Sequence, residues 1–262
     1  MKLPIFQVDA FTDELFGGNP AAVVPLNDWL PDETMQAIAT ENNLSETAFF
    51  ISREEDYELR WFTPAVEVPL CGHATLASAH VMFHHLDYVR DEIRFHSKSG
   101  LLKVRREGDW ITLDFPSDEV KKSEAPANLL EALKVTPKEI WKGKRNYLIL
   151  LHSAAEVYNT SPDFVQLKTI SGHSFIITAN GNDTDFISRC FVPSVGINED
   201  PVTGGAHCTL IPYWSNVLGK KELTARQVSK RGGYLKCKYS EDRVEISGKA
   251  VTYLTGDIVI NH

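Results

Sequence analysis

Glu46 is the one acidic residue in "NNLSETAFF" (42–50), and the residues that follow it are typical of a β-strand. A carboxylate entering an apolar core is costly unless something there needs its charge or its proton. Burial raises the pKa of a carboxyl group, and a carboxyl with a pKa near neutrality can accept and return a proton efficiently. Taken alone, the pattern favours a structural glutamate that bridges strands through backbone bonds or through a nearby arginine, such as Arg60. A general acid/base at position 46 is the alternative interpretation.

Two other segments, "CGHATLASAH" from Cys71 and "TGGAHCTLIPYW" from Thr203, each predict a helix that opens at glycine. A helix start has unpaired backbone N–H groups and a partial positive charge, and glycine lets a ligand approach the backbone closely. We therefore expect Gly72, Gly204 and Gly205 to bind a small carboxylate-bearing molecule. Any one of these glycines, taken alone, could be explained by a tight turn. Their matching places in the two halves of the chain favour a role in ligand binding.

His73 and Asp200 lie beside these glycines. The imidazole of His73 could donate a hydrogen bond to a bound acid or exchange a proton with it, or it could simply bond to backbone. Asp200 could hold a substrate amine or hydroxyl by a charged hydrogen bond. It could equally cap the turn before Pro201, and the two roles are compatible.

Cys71 suggests a competing chemistry, because a helix start can lower the pKa of a thiol. A symmetric epimerase or racemase would need a second such base, and the counterpart in the other half is Thr203, which is not readily deprotonated. We therefore favour Cys71 as a small buried wall residue.

Metal and nucleotide sites have weaker support in the sequence. His73, His80 and His84 fall near one helical face, but the segment lacks H-E-x-x-H, and a central helix can contain satisfied core histidines. The glycine segments lack the spacing of a dinucleotide or phosphate-loop fingerprint. We expect neither a metal nor another cofactor.

The elements that must position these residues occur twice. Segment 46–66 parallels segment 173–195, and each contains the frame R-x-F-x-P-x-V followed by one glycine-opened helix. A repeat of about 130 residues is too long for a solenoid unit. It predicts two similar α+β domains related by a pseudo-twofold axis, 1–117 and 118–262, with a final strand that could return to the first. Sites often lie in clefts between domains.

The 262 residues carry a net charge of -8, which disfavours a generic binder of nucleic acid or of a membrane surface. The N-terminal "MKLPIFQVDAFTDE" meets proline and acids before a long apolar run can form, so no secretory signal is predicted. The four cysteines show no C-x-x-C spacing. These features favour a cytoplasmic protein that acts on a small molecule.

Five stretches together resemble the phenazine-biosynthesis PhzF-like isomerase family: "FGGNPAAVV", "NNLSETAFF", "LRWFTPAVEVPLCGHATLASA", "NEDPVTGGAH" and "RGGYLKCK". They occur in the family's order and cover nearly the whole chain. The resemblance implies a diaminopimelate-epimerase-like fold, with strands wrapped around a central helix in each of two α+β domains and the site between them. It also implies a cofactor-independent isomerase in which a glutamate carries a proton between substrate carbons, and it is compatible with a homodimer. The best-known family activity acts on a dihydro-hydroxyanthranilate.

The resemblance assigns roles to particular positions. Those matching the family's functional residues are Glu46, His73 and Asp200 for catalysis, and Ser45, Gly72, Gly204 and Gly205 for substrate binding. The family often has serine where this chain has Gly205, so a hydroxyl contact is missing and the phenazine substrate itself is in doubt. A cysteine-assisted epimerase using Cys71 and a non-catalytic binding module on the same fold are the alternatives.

Overall fold

The computed structural model describes residues 1–170 and 174–260. The chain divides into two compact units, one formed by Met1–Asp114 with the segment from Ser247 onward, the other by Phe115–Ile246. His173 of the predicted repeat and residues 261–262 of the predicted second domain lie outside the described residues. The pseudo-twofold relation stays a prediction, and each unit is described below by itself.

Unit 1 contains eight complete strands and two helices: β1 (Lys2–Ala10), β2 (Asn19–Leu26), α1 (Asp32–Asn42), β3 (Glu46–Arg53), β4 (Asp56–Phe62), β5 (Glu67–Val68), α2 (Gly72–His85), β6 (Glu92–Ser97), β7 (Gly100–Glu107) and β18 (Ala250–Val259) among its described residues. Strand β8 (Trp110–Pro116) begins in this unit. The antiparallel pairs are β1–β18, β1–β2, β3–β4, β6–β7 and β7–β8. The parallel pairs are β2–β3 and β4–β6.

Helix α2 is the central element of unit 1 and packs against β1, β2, β3 and β18. Residues 73–83 are all buried, as expected for a helix that is surrounded by strands rather than laid on a surface. Its two buried hydroxyl residues satisfy their polar groups locally, because Thr75 donates to the carbonyl of Cys71 and Ser78 to that of Ala74. The helix can therefore lie in the core without stranded side-chain hydroxyls.

Unit 2 contains these elements among its described residues: β9 (Lys121–Lys122), α3 (Leu129–Leu133), β10 (Glu139–Lys142), β11 (Asn146–Leu150), α4 (Ala154–Asn159), α5 (Phe164–Thr169), β12 (Ser174–Asn180), β13 (Phe186–Val192), β14 (Ile197–Asp200), α6 (Gly204–Leu218), β15 (Glu222–Gln227) and β16 (Gly233–Ser240), with β17 (Arg243–Gly248) leading back to unit 1. The β11–β12 and β13–β15 pairs are parallel, and the β12–β13 and β15–β16 pairs are antiparallel. Strands β2, β3, β4, β6 and β7 of unit 1 pair with one another in the same alternation of parallel and antiparallel pairs. Helix α6 packs against β11, β15 and β16. Within the described ranges, no helix has both the length and the apolarity needed to cross a membrane.

The R-x-F-x-P-x-V frame makes the same side-chain contacts in both units. Arg60 donates from Nε and Nη2 to the two carboxylate oxygens of Glu67, at 2.8 and 2.9 Å. Arg189 donates in the same way to Glu199, at 2.7 and 2.9 Å. Each guanidinium also lies over the ring of the phenylalanine two residues later, at 5.2 and 5.1 Å from the centroid. The duplication read from the sequence is thus a repeat of fork-like ion pairs as well as of strands.

The composition of segment 146–158, "NYLILLHSAAEVY", predicts a core strand followed by a loop, and the second half of this prediction is wrong, because strand β11 leads into helix α4. Ser153 Oγ accepts from the backbone N–H of Glu156 at 3.3 Å, while the Glu156 carboxylate accepts from the N–H of His152 at 3.2 Å. This reciprocal capping starts a helix where the composition alone indicated none.

Candidate active site

Glu46 is the first residue of β3, where that strand pairs in parallel with β2. Its side chain is 14% exposed, and its Oε2 lies 3.2 Å from Nε2 of His73. Arg60, the structural partner considered for Glu46, binds Glu67 and Asp32 instead. The carboxylate at position 46 therefore faces an imidazole rather than the nearby guanidinium.

His73 is the second residue of α2 and is buried. Its Nδ1 lies 3.1 Å from the amide nitrogen of Asn19 and 3.5 Å from the sulfur of Cys71. Burial lowers the pKa of the imidazole to about 3, so the ring is neutral at pH 7. The Glu46 carboxyl thus lies 3.2 Å from a neutral ring, in a close contact that is not aligned as a hydrogen bond.

The turn before β2 delivers Asn19 to this place. Gly18 has φ +59, and a Cβ there would collide with the carbonyl oxygen of Ala10, so the tight turn needs glycine. Asp9 holds the same turn by accepting from the N–H of Phe16 at 2.9 Å. Asn19 then pairs with Ala10 as the first residue of β2.

Glu46, Cys71 and His73 each place one potential ligand atom within 4.8 Å of the others, a set that could hold a divalent metal ion. Of the histidine face considered from the sequence, this set includes His73 but not His80 or His84, which lie elsewhere on α2. There, His80 Nε2 lies 2.9 Å from Thr252 Oγ1, and the ring of His84 lies 4.4 Å from that of His80. Those two histidines make packing and hydrogen-bond contacts within unit 1.

Asp200 ends β14 in unit 2, and its side chain is fixed by the turn that follows it. Its Oδ2 accepts from the hydroxyl of Thr203 at 2.7 Å, and its carbonyl accepts from Nε2 of Gln227 at 2.7 Å. The N–H of Thr203 donates in turn to Oε1 of Gln227 at 2.9 Å. Gln227 is fully buried and ties the whole turn to β15.

Helix α6 begins directly after this turn with the predicted glycine pair. Gly204 is buried and Gly205 is exposed. A Cβ at Gly205 would meet no described atom within 4 Å, so steric crowding does not require glycine there. His207, in the same turn of helix, donates from Nδ1 to the carbonyl of Thr203 at 2.9 Å, and burial lowers its pKa to about 4. The first-turn backbone N–H groups are therefore presented from a rigidly held helix start.

The predicted site residues fall into two groups, each within one unit. Glu46 and His73 are in contact, with Ser45 half-buried directly before β3 and Gly72 half-buried as the first residue of α2. The second group lies within one turn and consists of Asp200, Gly204 and Gly205.

A family model described as "Phenazine biosynthesis-like protein" matches residues 8–256. The chain belongs to this PhzC-PhzF family. An isomerase of Pseudomonas aeruginosa, named as uncharacterized, is 51% identical over 258 residues, covering 98% of this chain and 99% of the relative. The crystal structure of a PhzF-family protein of Enterococcus faecalis has a TM-score of 0.96 at 44% identity, covering 99% of this chain and 100% of that one. The predictions of a PhzF-like family and of an isomerase are confirmed.

The fold class predicted for the PhzF family is also confirmed. A hydroxyproline epimerase of Agrobacterium vitis, crystallised with trans-4-hydroxy-L-proline, has a TM-score of 0.60 at 12% identity and covers 98% of this chain and 91% of that one. At that identity the likeness concerns the fold alone. The mixed α+β architecture is thus shared by PhzF proteins and amino-acid epimerases.

Sequence reasoning missed two residues in this PhzF-family chain. Asn19 lies within "FGGNPAAVV", which carried part of the resemblance, but no role was assigned to it. Its contact with His73 spans 54 residues, so no local periodicity could pair them. Gln227 sits in a strand whose sequence, "ELTARQ", carries no signal that its last residue turns inward.

Proposed function

We propose that Glu46 is the general acid/base of a cofactor-independent isomerase that moves a proton on a small carboxylate-bearing substrate. The observation that carries the proposal is the mostly buried Glu46 carboxyl, 3.2 Å from the buried His73 ring. A cationic partner at that distance would hold the carboxyl strongly deprotonated, whereas the neutral imidazole leaves it able to take up a proton. In the proposed reaction Glu46 removes a proton from one substrate carbon and returns it to another, so no group is lost or gained.

Substrate binding is assigned to the two helix starts. The first-turn N–H groups beginning at Gly72, and those beginning at Gly204 and Gly205, are donors suited to a carboxylate. Asp200 is proposed to hold an amine or hydroxyl of the same molecule. These donors favour a small cyclic or amino-acid-like acid, and the net charge of -8 does not oppose them because the attraction is local.

The cysteine-assisted alternative rests on the 3.5 Å contact between Cys71 Sγ and His73 Nδ1. A thiol beside an imidazole can be activated as a base or nucleophile. Against it, the position equivalent to Cys71 in unit 2 is Thr203, whose hydroxyl already donates to Asp200. We therefore favour a single carboxyl as the proton carrier.

The test is exchange of substrate C–H protons with solvent. A panel of small cyclic and amino-acid-like carboxylic acids is incubated with the protein in D2O, and loss of C–H signals is followed by NMR. Glu46→Gln keeps the shape of the side chain and removes its proton chemistry, so exchange should fall by about 10²- to 10⁴-fold. Glu41→Gln, on the exposed face of α1, is the matched control.

Exchange that survives in Glu46→Gln would eliminate the proposed role of Glu46. If Cys71→Ser abolishes exchange while Glu46→Gln retains it, the thiol mechanism replaces the carboxyl mechanism.

A further inference from the structure

We propose that Asn19 is a positioning residue that fixes His73 in the Nε2-protonated tautomer, so that the single N–H of the ring is on the nitrogen that lies beside Glu46. The inference deepens the proposed function and rests on it for its catalytic consequence. The tautomer itself can be tested without any substrate.

The hydrogen-bond chemistry of the amide leads to this assignment. The nitrogen of Asn19, 3.1 Å from His73 Nδ1, carries two donors and no acceptor. His73 Nδ1 must therefore accept, which means that it bears no proton. A neutral imidazole has its one proton on the other nitrogen, and that nitrogen lies 3.2 Å from Glu46 Oε2.

Cys71 supplies a second donor toward the same nitrogen. Its sulfur lies 3.5 Å from His73 Nδ1, within reach of a weak S–H hydrogen bond. With Nδ1 accepting, the thiol keeps its proton and does not act as a base toward the ring. An Nε2-protonated ring therefore supports the carboxyl mechanism and opposes the thiol mechanism.

The position of Asn19 suits a fixed donor. The residue is fully buried and stands first in β2, paired with Ala10 and preceded by the glycine turn. A side chain anchored in a strand holds its geometry better than one on a loop. The donor is thus in place before any ligand arrives.

The tautomer has a chemical consequence for Glu46. An N–H on the nitrogen 3.2 Å from Oε2 places the positive end of a bond dipole beside the carboxylate and so stabilises it, the form that can accept a proton. In the opposite tautomer a nitrogen lone pair would face the carboxylate oxygen at 3.2 Å, and the two would repel. Orienting groups of this kind are known to change rates by about 10- to 100-fold when removed from metal-bound histidines.

The first experiment reads the tautomer in the native full-length protein. Histidine labelled with ¹⁵N in the ring gives two-bond ¹H–¹⁵N correlations that distinguish protonated from bare nitrogens, and His73→Gln identifies the signals of residue 73. The expected result at neutral pH is a proton on Nε2 and none on Nδ1. A proton on Nδ1, or on both nitrogens, overturns the proposal.

The second experiment reverses the polarity at position 19. In Asn19→Asp the carboxylate can only accept, so the ring should shift to an Nδ1-protonated form, and kcat should fall by roughly 100-fold while KM changes by less than about 3-fold. Asn42→Asp is the matched control, because the amide of Asn42 donates to Thr47 at 3.0 Å and not to the His73 ring. A folded Asn19→Asp protein with an unchanged tautomer contradicts the proposal.

Asn19→Ala covers the case in which the aspartate variant does not fold. Loss of the donor without a new acceptor should give a mixture of tautomers, and a pure Nε2-protonated ring in this variant would show that Asn19 does not set the tautomer. The outcomes separate the two proposals. Turnover that survives Glu46→Gln removes the catalytic role but leaves the tautomer, whereas an Nδ1-protonated ring with an essential Glu46 removes only the role of Asn19.

Discussion

Glu46 and Ser174 occupy the same place in two copies of one strand arrangement. Glu46 begins β3 and Ser174 begins β12. The frame arginines fix the register through the cross-strand pairs Phe49–Arg60 and Ile177–Arg189. In each pair the residue facing the arginine lies three positions after the start of its strand. The equivalent of the candidate acid/base is therefore a serine in unit 2.

The short strands before each helix extend this alignment. Their pairs are Trp61–Val68 in unit 1 and Cys190–Asp200 in unit 2. Asp200 is thus equivalent to an apolar valine, and in each unit the glycine-opened helix begins four residues later. The duplicated scaffold has kept its arginine–glutamate pairs, but the carboxylates that could act on a substrate stand at different positions in the two units.

This difference bears on mechanism. A symmetric racemase needs a base in each unit, and here the helix-start pair is Cys71 in one unit and Thr203 in the other. The hydroxyl of Thr203 donates to Asp200, so it is engaged as a donor. Unit 1 combines a carboxyl with a neutral imidazole, while unit 2 combines a held aspartate with a helix start. That division favours one proton carrier and one binding stretch.

The variants Glu46→Gln and Asp200→Asn should separate the role of proton carrier from that of substrate binding. The loss of turnover expected for Glu46→Gln is the largest of the predicted effects. Removing the proton carrier should lower kcat by about 10²- to 10⁴-fold. Removing the negative charge of Asp200 should mainly raise KM, by about 10-fold, because one charged hydrogen bond to the substrate is lost. Steady-state kinetics on the substrate found by solvent exchange checks both. Equal losses of kcat in the two variants would contradict the division.

Acid should destabilise unit 1 more steeply than unit 2. Burial lowers the pKa of His73 and His80 to about 3 in unit 1 and that of His207 to about 4 in unit 2. In the unfolded chain each histidine has its ordinary pKa of 6.5, so between that pH and the lower pKa of the folded state the unfolded state binds more protons. Stability is therefore full above pH 6.5 and falls as the pH drops, by up to about 1.4 kcal/mol per pH unit for each histidine.

Urea unfolding at pH 7 and pH 5 measures this effect. His80→Gln should flatten the pH dependence, because glutamine can still bond to Thr252 without titrating. His152→Gln, at an exposed position, is the control. A His80→Gln protein with the native pH dependence would show that this buried ring does not carry the linkage.

The two frame arginines should differ in their contribution to stability. Arg189 also donates to the backbone carbonyls of Val157 and Thr160, at 3.2 and 2.6 Å, whereas the further partner of Arg60 is the exposed Asp32. Arg189→Met should therefore cost about 3 kcal/mol, since it leaves a carboxylate and two carbonyls without their donor, and Arg60→Met about 1–2 kcal/mol. Urea midpoints of the two variants give the comparison. Equal losses of unfolding free energy in the two variants would mean that the contacts of Arg189 with the two carbonyls add nothing to stability.

The strands and the two glycine-opened helices could be predicted because apolar runs, turns and glycines are local signals. The resemblance placed Glu46 and His73 in one site, but it did not specify the 3.2 Å contact between them. Asn19 could not be found in this way, because its contact with the ring depends on where β2 and α2 meet in the folded unit. The same holds for Gln227, which reaches Thr203 from another strand. Side-chain hydrogen bonds between distant segments are set by tertiary register, and no local pattern encodes them.

Gly205→Ser tests whether position 205 touches the substrate, with a small expected effect. A side chain there has open space, and serine is well tolerated in the first turn of a helix, so the free energy of unfolding should change by no more than about 0.5 kcal/mol. A hydroxyl at the start of α6 adds a donor and acceptor that a bound carboxylate would meet. KM should then change by about 3-fold or more, with a smaller change in kcat. Gly256→Ser is the control, because a Cβ there meets only Leu254, at 3.9 Å, on the largely exposed β18. Identical KM values for Gly205→Ser and the native protein would remove position 205 from the binding site and confine substrate recognition in unit 2 to Asp200 and Gly204.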